Sequence, residues 1–597
     1  MRKTFTLFFA LVFAIICKSQ TPWNGTVAES YDGGDGTPEN PYQIATAEQL
    51  ALLAYQTNNG NGGDAYYVLV NDIDLNGSGG QEWNPIGTVK SDWTNPINPG
   101  IVPAYPFTGV FDGNNHIVSD LYVNDNDVLG LFGCIQNAEV KNVSIEGQLV
   151  LGSYIGFVVG LSFDSNISDC TASGTIQAYG HKVGGIVGHF VAKKIGNDTV
   201  FVKNCINNAN ITEGVFSLGG IAGYTTMENG NVVIKNCVNN GEIGEVSNTS
   251  FAGGMVGEGD FILRNCHNYG KIYATSCAGG MVGQGGNFGL IQGCVNHESG
   301  EIRAEFAGGI IGTAIFTVMS CCGNEALITG YGHDSLADEL LVGGISGADG
   351  TICNCYNRGD LTAVFNTSEP LIAQIGGIAS TPPSDGQVRN VYNTGTIIKP
   401  SNPNIQSALY SHIVPATLNE TLISNCYWIG NETISPDIYD IATSSWIPIP
   451  YSSAFNQGAS ATSWMLDEAQ YGTTDLLEAL NAGAMGECVW VEDTEGINGG
   501  FPIPMPIYHD AVDENQDENN MLAFVYPNPG NNILNIQTDL STPELYVYDI
   551  FGRIVHYQQL TEMSTLINTV SWPSGMYIWK VISNGKLAES GKWLKSH

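Results

Sequence analysis

Three aspartates near the start of the chain, Asp72, Asp74 and Asp112, are the best candidates for chemistry, since carboxylates that face one another supply the hard oxygen ligands of calcium. The competing reading makes them turn and ladder residues whose oxygens cap backbone groups. No zinc site is expected, because there is no CxxC pair and Cys353-x-Cys355 is one ladder member beside a neighbour. His297-Glu298 continues into Ser299-Gly300-Glu301, so the HExxH metalloprotease pattern is absent. No nucleophile elbow or phosphate loop stands in its required context, and glycine-rich matches carry nothing in a chain whose repeat generates them. The ten histidines are scattered, and His267 and His297 read as surface positions in turn-like parts of the repeat. No catalytic, cofactor-binding or metal-ligating residue is therefore assigned, and calcium is the one cofactor left open.

The elements that would position any site are repeats. A unit returns about nine times between roughly residues 129 and 430 with a period of about 26 to 35 residues, the range in which self-similarity means stacked supersecondary units. Its first half is glycine and apolar, as in Gly184-Gly185-Ile186-Val187-Gly188, Gly253-Gly254-Met255-Val256-Gly257 and Gly308-Gly309-Ile310-Ile311-Gly312. Its second half reads apolar-x-x-Cys-x-Asn-x-Gly-x-apolar, as from Ile234 to Ile243 and from Leu263 to Ile272. Short β-branched runs between Gly, Asn and Asp predict strands joined by tight turns. A period of about 30 residues then fits one coil of a parallel β-helix, each strand resting on its counterpart one period away.

Aligned in this way, Cys170, Cys205, Cys237, Cys266, Cys294, Cys322, Cys355 and Cys426 share a column with Val143 and Val391. A position that accepts Val wants a small apolar filler, so the column is predicted to point inward as free thiols. Two positions on, Asn207, Asn239, Asn268, Asn296, Asn324, Asn357 and Asn393 form a second column, whose amides can hydrogen-bond along the axis while tolerating left-handed dihedrals. The glycine two residues later, as at Gly174, Gly241, Gly270, Gly359 and Gly395, is expected to supply a positive φ.

With 58 acidic against 21 basic residues the chain carries a net charge of -37, which speaks against nucleic acid or an anionic membrane as partner. Only 13% of its residues are charged while 74 are glycine, a balance of turns over helix surfaces. Residues 1–20 carry Arg2 and Lys3, an apolar run from Phe5 to Cys17 and a polar exit, which reads as a secretory signal peptide. A lipid-modified Cys17 is the alternative, opposed by the bulk of Ile16 before it. No stretch reaches the roughly 18 apolar residues of a transmembrane helix. The remaining boundaries place an N-terminal cap at 21–66, β-helix repeats at 67–430, a C-terminal cap at 431–510, an acidic linker at 511–520 and a tail at 521–597. Thr46 and Gln49 have capping-box spacing for a helix running to about Gln56, with Leu50, Leu53 and Ala54 on one face. In the C-terminal cap, Trp464 to Gln470 and Leu476 to Asn481 carry short helical spacing.

The opening "GDGTPENPYQIATAEQLALLA", then "NDIDLNG", "WNPIG", "FTGVFDGNNHIVSDL" and Gly130-Leu131-Phe132-Gly133 together resemble the Gly-Leu-any-Gly (GLUG) repeat family of bacterial surface proteins over roughly residues 31 to 505. The resemblance implies a right-handed parallel β-helix on an exported protein, and no particular reaction. Because Asp72, Asp74 and Asp112 lie in ordinary text of that family, turn capping is the preferred reading for them. The tail, with "YPNP", "YDIFGRIV", "SGMYIWKV" and a basic end at "KWLK", resembles the C-terminal sorting domain of type IX secretion cargo, which implies passage through a gram-negative outer membrane and removal of the tail. Its short strands suggest a small immunoglobulin-like β-sandwich. The expected fold class is thus all-β, a right-handed parallel β-helix with short capping helices plus that sandwich. Two functions follow. The favoured one is a surface or secreted module that binds glycan or protein, with exposed aromatics such as Tyr269, Tyr273 and Tyr356. The alternative is a polysaccharide-degrading lyase or hydrolase, which needs carboxylates and a base together in a groove.

Overall fold

The computed structural model describes residues 22–506 and 523–595 except for 93–99, 125–126, 178–179, 194–198, 213, 333–338, 366–370, 382–386, 399–404, 415–422, 430–436, 441–444, 449–463, 467–473, 485–487, 494–497, 499–500, 527–532, 539–542, 550–552, 561–563, 574 and 584–585. The expected signal peptide and acidic linker lie outside the described residues. Two compact units divide the chain, 1–508 and 509–597.

The first unit is a parallel β-solenoid. In one coil Lys182–Gly184 leads through the glycine corner to Val187–Ala192, then Thr199–Lys203, Ile206–Asn207 and Asn210–Thr212. Each strand pairs in parallel with its counterpart a coil away, as in the series Lys182–Gly184, Ser217–Gly219, Phe251–Gly253, Cys277–Gly279 and Phe306–Gly308. One continuous apolar core runs from Trp23 to Trp428.

The cysteine column points inward as its tolerance for Val requires. All eight members are fully buried, as are Val143 and Val391. They are free thiols that donate to carbonyls rather than bridging, as Cys237 Sγ does to Val202 O at 3.5 Å. The asparagine column is buried too. Each Nδ2 from Asn207 to Asn357 donates to the Oδ1 of the next Asn at 2.7 to 2.8 Å, and those of Asn207, Asn239, Asn268, Asn324 and Asn357 also donate to a carbonyl two residues on. Such a chain specifies its register, because a buried donor left without an acceptor costs about 1–3 kcal/mol.

The left-handed dihedrals fall elsewhere than expected. They belong to the residue before the cysteine column, as at Asn204 (φ 56°), Asn236 (55°) and Asn265 (49°), where the strand turns a corner. Of the downstream glycines, Gly174 has a positive φ but Gly241 and Gly270 do not. These two are glycine because coils approach closely: a Cβ on Gly241 would lie 1.9 Å from Ala209 O, and one on Gly270 1.9 Å from Gly241 O.

At the N-terminal end the helix Ala47–Asn58 adds Leu50, Leu53 and Ala54 to the core. The expected capping box does not form: the Thr46 side chain makes no capping bond, and Gln49 Oε1 accepts from the N–H of Ala45, one residue before the cap, at 2.7 Å. Toward the other end Asp437–Asp440 pairs antiparallel with Ile405–Ser411 and with Ser445–Pro448, which breaks the parallel progression of that sheet. Trp464–Leu466 is a strand on Tyr427–Ile429 rather than a helix. The helix Thr474–Gly483 lays Leu476 and Leu480 over Tyr356, Tyr392 and Tyr427 of three successive coils, with Trp490 in the same cluster.

The second unit has two antiparallel sheets of three and four strands, whose apolar side chains, including Leu534, Val547, Trp579 and Trp593, form one core.

Candidate functional site

The glycine corner positions the most distinctive outer surface of the solenoid. Gly-Gly-x-x-Gly folds the chain so tightly that a Cβ on Gly188 would lie 2.5 Å from Ile155 N of the neighbouring coil. The residue entering each corner and the residue leaving it therefore emerge along one seam. The entering row reads Tyr154, Lys182, Ser217, Phe251, Cys277 and Phe306, and the leaving row Leu161, His189, Tyr224, Glu258, Gln284 and Thr313. The rows touch one coil out of step: Tyr154 stacks on His189 at 6.0 Å, Lys182 Nζ lies 4.1 Å from the Tyr224 ring centre, Ser217 Oγ donates to Glu258 Oε2 at 2.6 Å, and Cys277 Sγ meets Thr313 Oγ1 at 3.2 Å.

At the N-terminal end the seam is closed. Val128, Cys134 and Leu161 form a separate apolar cluster with Phe163 and Val191, and Tyr154 packs against it together with Val89 and Ile101 of the hairpin Thr88–Asp92 and Gly100–Tyr105, so that Tyr154 stands at the edge of the cover. Beyond this cover the seam becomes polar and aromatic. Tyr154, Lys182, His189, Tyr224, Phe251, Glu258, Gln284 and Phe306 are all half-buried. Lys182 has no carboxylate within ion-pair distance among the described residues; it sits between the rings of Tyr154 and Tyr224. Burial pushes its ammonium down to about 8, against an opposing pull from Glu258. Burial, with Lys182 and Lys193 nearby, holds His189 well below the usual imidazole range, so it is neutral at pH 7. Burial raises the phenols of Tyr154 and Tyr224 and pushes Glu305, beside Phe306, up to about 7. Gln284 Oε1 is a buried acceptor with no donor among the described residues.

The sequence candidates are placed differently. Asp72 Oδ1 accepts from the Ile117 N–H and faces His116 Nδ1, both at 3.0 Å, and these bonds lower its pKa. Asp74 accepts from the Asn76 N–H at 2.8 Å, and Asp112 from the Asn114 N–H at 2.7 Å and Asn142 Nδ2 at 3.0 Å. Asp74 and Asp112 cap their own turns while Asp72 bonds to the neighbouring coil, and among the described residues no group of three or more His, Cys, Asp or Glu side chains is placed to hold a metal ion. Of the three aromatics, Tyr269 is exposed, Tyr273 is half-buried and bonded to Glu301, and Tyr356 is buried at 3% exposure. Tyr356 is thus no ligand platform, because the helix Thr474–Gly483 covers it.

His267 and His297 are more than isolated surface positions. His267 Nδ1 meets His297 Nε2 at 3.0 Å, and His297 Nδ1 meets Glu325 Oε2 at 3.3 Å. Glu325 accepts from Tyr356 Oη at 3.1 Å and faces Arg358, which donates to Asn498 Oδ1 at 3.2 Å. This array ties four successive coils to Asn498.

These features define a parallel β-solenoid carrying a separate C-terminal β-domain. Residues 524–595 match the family model of the secretion system C-terminal sorting domain. A sorting domain of this kind implies contact with the type IX secretion machinery and delivery to the cell surface or beyond. No helix among the described residues is long and apolar enough to cross a membrane. The chain is similar to Halomucin of Haloquadratum walsbyi, 31% identical over 180 residues that make up 29% of this chain and 2% of that protein. It is also similar to a putative Gly-rich membrane protein of Evansella cellulosilytica, 33% identical over 126 residues, 20% of this chain and 12% of that one. The chain thus spans a small part of the length of either relative.

Proposed function

We propose that the solenoid is a surface-displayed or secreted binding module of the Gly-Leu-any-Gly repeat type, and that its ligand is an extended glycan lying along the seam. The single observation that carries this reading is the convergence of half-buried aromatic and polar side chains, Tyr154, Lys182, His189, Tyr224, Phe251 and Phe306, in two touching rows. Aromatic faces suit the apolar side of a sugar ring, and a few placed polar groups fix its orientation. Export completes the reading: residues 1–20 serve as signal peptide, and 521–597 as an immunoglobulin-like sorting sandwich removed after delivery. The coil is right-handed, and residues 21–66 and 431–510 act as its caps.

A glycan array probed with the secreted protein tests the assignment. Binding of one polysaccharide class is expected, with Tyr154→Ala plus Tyr224→Ala weakening it at least tenfold. Undiminished binding by that double variant would move the site off the seam. Cleavage of the bound polymer is a second reading, favoured by Glu305, whose carboxyl near 7 retains a proton for general-acid work. New reducing ends during incubation would support it.

A further inference from the structure

We infer that the seam contains a subsite for a carboxylate-bearing sugar, a uronic acid, with its carboxylate on Lys182, its ring against Tyr154 and Tyr224, and its hydroxyls on Glu258. This rests on the glycan reading and adds the class of sugar.

The argument starts from where the chain puts its few cations. Among the described bases, Lys141 lies 2.9 Å from Glu139, Lys193 3.4 Å from Glu228, Arg303 2.8 Å from Glu301 and Arg358 3.6 Å from Glu325. Lys182 has no such neighbour: it is half-buried with its ammonium over tyrosine rings and, among the described residues, no carboxylate within 4 Å, in a chain where acids outnumber bases 58 to 21. Cation–ring contact offsets only part of the lost hydration of an ammonium, which is why burial lowers its pKa. An anion arriving at Nζ supplies the missing partner.

The same rungs explain why that anion belongs to a sugar rather than to a free ion. One coil on, Glu258 presents a carboxylate whose Oε2 accepts from Ser217 Oγ at 2.6 Å, leaving Oε1 for a further donor. A bare anion would be repelled there, whereas a sugar acid turns hydroxyl donors toward Glu258 while its own carboxylate reaches Lys182. The groups facing Lys182 are Glu258, the neutral His189 and the un-ionised phenols of Tyr154 and Tyr224, so its own proton governs the affinity.

Calorimetry on the full chain with hexasaccharides of galacturonate, mannuronate and glucuronate, each beside its methyl ester, tests the subsite. Esterification removes the charge and keeps the ring. At least one acid is expected to bind ten times more tightly than its ester at pH 7. Its affinity should hold below pH 8 and fall about tenfold by pH 9.5 as Lys182 loses its proton, while ester binding stays flat. Lys182→Gln should erase the preference for the acid and keep ester binding, and Lys182→Arg should retain the preference and move the decline to higher pH. Equal binding of acid and ester overturns the uronate subsite and leaves the glycan reading intact. Absence of binding by every acid and ester overturns the subsite too, and if neutral oligosaccharides also fail to bind, the glycan reading falls with it.

Discussion

Two faces of the same coil obey opposite rules. At the corner after the left-handed residue, one type recurs rung after rung: Cys at the buried column and, two positions on, Asn, whose amides bond to their copies along the axis. Along the seam no type recurs in successive coils, and the entering row passes through Tyr, Lys, Ser, Phe, Cys and Phe. Both rows stack at the same spacing on the same backbone, so the contrast lies in what each side chain must satisfy. An inward residue meets its own kind and is held to one size and one hydrogen-bonding pattern. Most seam residues are partly exposed to solvent, and the fold leaves them free to vary. Repetition within this chain therefore marks what holds the solenoid together, and its absence on a half-buried face marks what is available for recognition.

The largest test of that contrast is Cys237→Asp. It buries a carboxylate against the neighbouring thiols and carbonyls with no cationic partner, and should destabilise the solenoid by about 3–5 kcal/mol. Cys237→Val should change stability by less than about 1.5 kcal/mol, because volume and polarity are nearly kept. Chemical denaturation measures both. Equal damage from the two would remove the ladder assignment.

Asn268→Leu comes next. It leaves Asn239 Nδ2 without its acceptor and Asn296 Oδ1 without its donor, a loss of roughly 2–4 kcal/mol. Tyr224→Ala, on the seam and half-buried, should cost clearly less stability while weakening recognition. If the two variants reversed this order, the division between a structural and a recognising face would not stand.

What was legible in the sequence follows the same division. A column that alternates Cys with Val could be read as inward because only burial treats those two alike. The period, the parallel pairing and the helix over Ala47–Asn58 follow from residues that answer to local or repeated demands. The seam was not legible, because its members are seven residues apart within a coil and meet partners in the next, and no repeated type announces them. Tyr356 misled for a related reason: its position is outward-facing in the repeat, and only the return of a segment more than a hundred residues later covers it. In the tail the basic end at Lys592 to Lys595 hid a strut. Lys595 is buried and donates to the carbonyls of Thr569, Val570 and Trp572.

The smallest expected effect on the solenoid comes from removing residues 521–597. The apolar clusters of the first unit draw on residues up to Phe501 and contain none from the tail, whose own core is complete with Leu534, Val547, Trp579 and Trp593. Units that each bury their own apolar side chains unfold independently, so the truncated chain should keep the thermal midpoint of the solenoid and lose only a separate tail transition. Delivery should change completely. The sorting domain is the part read by the secretion machinery, and no described helix could hold the solenoid in a membrane. Fractionation of cells expressing the two forms is expected to find the truncated chain folded in the periplasm and the full chain at the surface or in the medium. Surface delivery without the tail would remove its sorting role, whereas a lowered midpoint would make the tail a structural part of the solenoid.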